Sequence, residues 1–183
     1  VAIIATSAFA RRELEQRSDG WPGAADALAK TRVVLPNVAP RTTTPRDYRP
    51  GEVLHVTFVG KDWGRKGAIV AARVAQEASR RGLPIHVHIV SSLAFGFTDD
   101  PQHERYERDQ GLIQTHDAIT FHRSLPNPEV HDLLARSHVL LLPTISDTFG
   151  FSVLEGFMHG VPAITTDVCA LPEVVLDGEI GIG

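Results

Sequence analysis

From residue 51 onward, short apolar runs alternate with stretches whose apolar positions recur at helical spacing. Residues 53–59 (VLHVTFV) read as a strand closed by Gly60. Between 66 and 81, Ile69, Ala72, Val74, Ala75 and Ala78 mark one helical face, and Gly82 stops it. Residues 85–90 (IHVHIV) predict a second strand. The stretch 93–118 carries no clear period beyond a helix around 102–107, and 118–121 predicts a third strand. Asn127 is placed to cap a helix over 128–135, with Pro128 at its favourable first position. Residues 139–142 (VLLL) are apolar throughout, as a parallel strand covered on both faces should be. A helix over 151–159 ends at Gly160, a fifth strand spans 163–166, and a short helix covers 171–176. This alternation predicts α/β architecture with right-handed βαβ units and a doubly wound parallel sheet ordered 3-2-1-4-5.

The first fifty residues differ. A strand at 1–5, a helix around 11–16, a turn at 19–23 and a short strand at 32–35 precede a stretch punctuated by Pro36, Pro40, Pro45 and Pro50. Proline blocks helix continuation and withholds ladder donors, so this stretch reads as an extended linker. Two units follow: residues 1–50, the end of a preceding domain plus its linker, and residues 51–183, a sheet domain. The stop at Gly181-Ile182-Gly183 falls inside an element, and the chain is expected to be part of a larger protein.

Composition narrows the classes. A net charge of −4 over 183 residues gives no nucleic-acid footprint. No apolar stretch approaches the ~20 residues of a membrane span. The lone cysteine, Cys169, precludes an internal disulfide and fits a reducing compartment, so a cytoplasmic location is expected. An anionic ligand would therefore need a local basic cluster.

One such cluster follows the first sheet strand: Gly60-Lys61-Asp62-Trp63-Gly64-Arg65-Lys66-Gly67. Gly60 lets backbone approach a ligand, Lys61 and Lys66 are charges suited to phosphates, and Gly67 is expected to leave the next helix start open to an anion. The spacing is that of neither a P-loop nor a dinucleotide fingerprint. A second cluster follows the fourth strand, Asp147-Thr148-Phe149-Gly150-Phe151-Ser152-Val153-Leu154-Glu155. Backbone donors at its helix start can hold phosphate or hydroxyl oxygens. Asp147 is either a helix cap or a ligand contact. Glu155, among apolar neighbours, needs a hydrogen-bonding partner, for which vicinal hydroxyls or a structural arginine would serve. In the predicted order these two loops are adjacent. His86 and His88 share one strand face, with no third metal ligand in view.

These segments, together with Pro143-Thr144, Gly156–Gly160, Pro172-Glu173-Val174-Val175 and Leu35-Pro36-Asn37-Val38, resemble the C-terminal half of retaining glycosyltransferases of family 4. The resemblance implies a Rossmann-like domain, the C-terminal half of the GT-B fold, that binds a nucleoside-diphosphate sugar and transfers the sugar to an acceptor with retention. It implies diphosphate contacts from Lys61 and Lys66, ribose contact from Glu155, and Asp147 at the transferred sugar. Amides of Phe149, Gly150, Phe151 and Ser152 would bind sugar or phosphate. The base would pack on the loop of Arg123 and Leu125, with Ser91 nearby. The family usually has arginine where Lys61 stands and glutamate where Asp147 stands. No D-x-D triplet occurs, so neither cofactor nor metal is expected. The expected partners are the donor, an unidentified acceptor and the missing N-terminal GT-B domain; without that domain, little turnover is expected. Two alternatives stay open at this point: a sugar-nucleotide epimerase of the same fold, and a non-catalytic ligand-binding α/β domain.

Overall fold

A computed structural model describes residues 2–42, 44, 46–93, 103–176 and 181–182, and the side chains of all of these except 103–106 and 181–182. In the first fifty residues, β1 (Ile3–Ala5) and β2 (Thr31–Val33) pair in parallel, joined through α1 (Ala8–Arg17) and α2 (Ala24–Lys30). The second of these helices has no counterpart among the sequence expectations. Its seven residues, AADALAK, form less than two full turns, too little for a period to emerge.

The main sheet contains β3 (Leu54–Val59), β4 (Ile85–Val90), β5 (Ile119–His122), β6 (Val139–Leu142), β7 (Ala163–Thr165) and β8 (Gly181–Ile182). All are parallel, ordered β5-β4-β3-β6-β7-β8. This is the expected doubly wound order with one further edge strand. The connections carry α3 (Trp63–Lys66), α4 (Ala68–Arg80), α5 (His103–Thr115), α6 (Asn127–Leu134), α7 (Phe151–Met158) and a 3₁₀ turn, Leu171–Glu173.

Four local expectations are corrected. Asn127 is the first helical residue of α6, and the capping position belongs to Pro126 without a side-chain bond, so the helix entry is set by proline backbone. The stretch thought aperiodic holds α5, whose polar composition hides its single apolar stripe. The basic loop contains a helical turn, α3, capped by Asp62, which accepts from the Arg65 N–H at 3.3 Å. The expected helix over 171–176 shortens to the 3₁₀ turn.

Alternation along the strands splits the sheet into two unlike faces. Val56, Phe58, Val87 and Ile89 are buried on the side of α4 and α5. There Ala68, Ala71, Ala72 and Ala75 are fully buried, a stripe of small side chains that lets the helix lie close to the strands. The other face, toward α6 and α7, carries Leu140 and Leu142 beside His55, Thr57, His86, His88, Thr120 and His122.

The amino-terminal unit is tied to the sheet domain by long-range bonds. The Glu173 carboxylate accepts the Ala8 and Phe9 N–H groups at 2.6 and 2.7 Å, filling the amino end of α1, and lies 3.6 Å from Arg12. The proline-punctuated stretch follows α7 and α6: Arg41 and Thr42 N–H donate to the Met158 carbonyl at 2.7 and 3.2 Å, and Arg46 donates to the Arg136 carbonyl.

Candidate functional site

All strands point the same way, so the loops after β3, β4, β5 and β6 share the carboxyl edge of the sheet. β3 and β6 are neighbours, and their loops are locked together. The Arg65 carbonyl accepts from the Thr144 hydroxyl and the Ile145 N–H, both at 3.0 Å. The Arg65 guanidinium returns a bond to the Ser146 carbonyl and pairs with Asp62 at 3.0 Å. Gly67, at φ 86°, seals the junction: a Cβ there would stand 2.1 Å from the Pro143 carbonyl oxygen. Gly67 therefore serves close approach of two backbones, and the expected open helix start at α4 is closed against Pro143.

At the centre of this junction Lys66 and Asp147 form an ion pair, with side chains only 17% and 7% exposed. The two sit in direct contact. Asp147 also accepts the Phe149 N–H at 3.3 Å. This engages the Phe149 amide inside the loop, and its ring is buried in the core. The next three amides are different. Gly150 caps α7 at φ 85° without a side-chain bond, and among the described residues no acceptor meets the N–H of Gly150, Phe151 or Ser152. Three consecutive unpaired donors at the positive end of a helix, beside a lysine, form a seat for an anion.

The other expected residues are placed as follows. Lys61 is exposed next to Gly60, whose N–H bonds the Val90 carbonyl at 3.0 Å. Among the described residues no carboxylate pairs with Lys61. Ser91 is buried, and its hydroxyl holds the loop by donating to the Lys61 carbonyl at 3.3 Å and accepting from Leu93 N–H. Ser92 donates to the same carbonyl at 3.2 Å. Arg123 is exposed and Leu125 half-buried just past β5, two strands from β3 and so roughly 10 Å along the same edge.

Glu155 lies on α7, half-buried, and among the described residues it accepts no hydrogen bond and pairs with no arginine. Burial pushes its pKa up, opposed by the nearby His131. His131 bonds His159 at 3.0 Å between ring nitrogens. A carboxylate held in that state gains from donors supplied by a ligand.

Sequence reasoning missed the extent of the imidazole layer on the α6 face. It noted His86 and His88, but His55 and His122 share their face, and His138 bonds the His55 N–H at 2.9 Å. Equal parity of His55 with His86 across paired strands was the available signal. Among the described residues no three ligating side chains gather to hold a metal ion.

The described strands form a doubly wound parallel sheet, the fold of the Rossmann-like half of GT-B glycosyltransferases. Solved structures agree in fold. A sucrose-phosphate synthase from Thermosynechococcus elongatus superposes with a TM-score of 0.69 at 22% identity, over 99% of this chain and 44% of that one. WaaG, a glycosyltransferase involved in lipopolysaccharide biosynthesis, superposes at 0.65 with 20% identity, over 97% and 47%. The model of the family described as "Glycosyl transferases group 1" matches residues 54–182, and the chain belongs to that family. It is 27% identical over 153 residues to a D-inositol 3-phosphate glycosyltransferase of Paenarthrobacter aurescens (strain TC1), covering 82% of this chain and 36% of the relative. It is 32% identical over 130 residues to an alpha-maltose-1-phosphate synthase of Mycolicibacterium smegmatis (strain ATCC 700084 / mc(2)155), covering 69% and 32%. The chain thus spans about a third of the length of these curated relatives.

Proposed function

We propose that this chain is the donor-binding part of a retaining, metal-independent glycosyltransferase of family 4, which uses a nucleoside-diphosphate sugar. The observation that carries this reading is the run of three unpaired amides at Gly150, Phe151 and Ser152 at the start of α7, near the half-buried Lys66. As the glycosidic C–O bond breaks, negative charge grows on the departing diphosphate. The fixed amides, Lys66 and the exposed Lys61 would stabilise that charge with little reorganisation. Asp147, by pairing with Lys66, positions the ammonium and would contact the sugar. Its shorter side chain, where the family usually has glutamate, suits a role split between lysine and ligand. Glu155, unpartnered and half-buried, would take the ribose hydroxyls as donors. Arg123 and Leu125 would flank the base. The acceptor site would belong to the preceding domain, whose end and linker residues 1–50 would supply.

Calorimetric titration of the chain with UDP, GDP and ADP tests this. One nucleotide binds measurably, and Lys66→Ala weakens it by about tenfold or more, the worth of a charge-assisted hydrogen bond. Equal indifference to all three nucleotides, in a chain with native circular dichroism, would defeat the proposal. In the longer protein the same substitution lowers kcat for sugar transfer, since the charge it meets is largest in the transition state.

A further inference from the structure

The α6 face of the sheet carries a second constellation that shares no residue with the edge just described. His55, His88 and His122, from three adjacent strands, line a cavity of about 400 Å³ with Arg46, Arg136 and Ser137. That volume lies within the range of small-molecule sites. The imidazoles form a stacked row: His55 to His88 at 5.4 Å between ring centroids, and His88 to His122 at 6.0 Å. His55 Nδ1 lies 3.2 Å from His88 Nε2. Two ring nitrogens, His88 Nδ1 and His122 Nε2, are buried with no hydrogen-bond partner. Buried polar atoms are normally paired, so two in one cavity need an explanation.

Charge supplies it. Arg12, Arg17, Arg65, Arg73, Arg80 and Arg81 each pair with a carboxylate. Among the described residues Arg46 and Arg136 form no such pair, Glu52 acting on Arg46 only at longer range: Arg46 donates to the Arg136 carbonyl, and Arg136 Nε to the Asp132 carbonyl at 3.1 Å. The cavity lining contains no carboxylate. Two guanidiniums in a lining that holds no carboxylate, over a floor of imidazoles with unmet hydrogen-bonding atoms, match a compact dianion with several acceptor oxygens. We propose that this cavity binds a small solute bearing a phosphate-type dianion, held by Arg46 and Arg136 and hydrogen-bonded by His88 and His122.

Binding is linked to protonation. His55 is pushed down by burial, then by His138, His86 and Arg46, with Glu52 opposing. His88 is pushed down to about 4 by burial and by His86, His55, His122 and Arg136. His122 is pushed down by burial, with Glu129 opposing. A dianion among these rings favours their charged forms, so it binds more tightly as pH falls.

Histidine ring signals followed by NMR test the proposal, with inorganic phosphate at pH 6.5 as the first probe. Sulfate, dianionic throughout, reports the pH dependence between 7.5 and 5.5. Phosphate and sulfate shift the His55, His88 and His122 signals saturably. Sulfate affinity rises on acidification, and the Arg46→Gln/Arg136→Gln chain binds at least about tenfold more weakly with its native circular dichroism unchanged. Arg46→Gln alone, in the exposed linker, gives a smaller loss and guards against a folding defect in the double variant. Ring signals that phosphate and sulfate leave unmoved, or that chloride moves equally, overturn the site. Unchanged affinity in both arginine variants also overturns it. Rings that answer to zinc and not to the anions replace the proposal with a metal site.

Discussion

The two faces of this sheet are built by opposite means. Toward α4 the strands present Val56, Phe58, Val87 and Ile89 to fully buried alanines, and stability comes from area removed from water and close packing. Toward α6 the same strands present His55, Thr57, His86 and His88, and several of their polar atoms find partners. Thr57 meets the Ser137 hydroxyl at 2.5 Å, and His86 meets the Thr120 hydroxyl at 2.7 Å. The lesson is that one parallel strand can be aliphatic on one side and hydrogen-bonded on the other. The first side then answers to volume and the second to protons.

Glycine substitutions should separate the two sides most strongly. Gly67→Ala, on the α4 side, forces a Cβ into the Pro143 carbonyl at a positive φ. It should cost about 3 kcal/mol or more in urea unfolding. Gly156→Ala, on the α7 side, closely meets only a terminal methyl of Leu140, at 3.3 Å, and gains helix propensity, so it should change stability by less than about 1 kcal/mol. Equal losses from both would break the contrast.

A size test comes next. Ala72→Leu overfills the alanine stripe and should cost about 1–3 kcal/mol. Thr57→Val keeps volume and removes one hydroxyl, while Ser137 retains its bond to the Leu133 carbonyl at 2.9 Å, so about 1 kcal/mol is expected. Thermal melts of the pair decide it.

The pH dependence should come from the α6 face. His88 titrates near 4 in the fold against 6.5 when exposed, because burial disfavours its charged form. The unfolded chain therefore takes up this proton first. Stability is full above about pH 6.5 and falls as pH drops toward 4, by on the order of 1–2 kcal/mol once the partial exposure of His88 is discounted. His88→Gln should flatten unfolding curves across that window. Smallest is Glu155→Gln. With burial raising its pKa, the charged form is disfavoured in the fold at neutral pH, so the variant should melt slightly higher. Under the proposed function it binds nucleotide more weakly, and a higher melting point with unchanged nucleotide affinity would remove Glu155 from the site.

Much of the sheet was legible because its order follows from alternation and handedness, which residues 53–59 and 139–142 display plainly. β8 was not: the two residues Gly181 and Ile182 carry no alternation at all. The meeting of the β3 and β6 loops was legible too, since strand order alone brings Lys66 and Asp147 to one edge. What spacing could not reveal was that the pair touches, that Ser91 is engaged by the Lys61 carbonyl of the neighbouring loop, or that the Phe149 amide is engaged within its own. Those facts depend on rotamers and on where each donor finds an acceptor, which sequence leaves open. The histidine layer went half-seen for a related reason: its members come from four separate stretches, and only packing reveals their common side.

Glu173 carries a final consequence. By occupying the amino end of α1 it acts as a resident decoy, an acid that already satisfies the amides a phosphate would seek there. A soluble phosphate must displace a tethered rival at α1, whereas at α7 it meets no competitor from the described chain. The molecule thus sorts its own helix ends, shutting one to outside anions and leaving the other on offer.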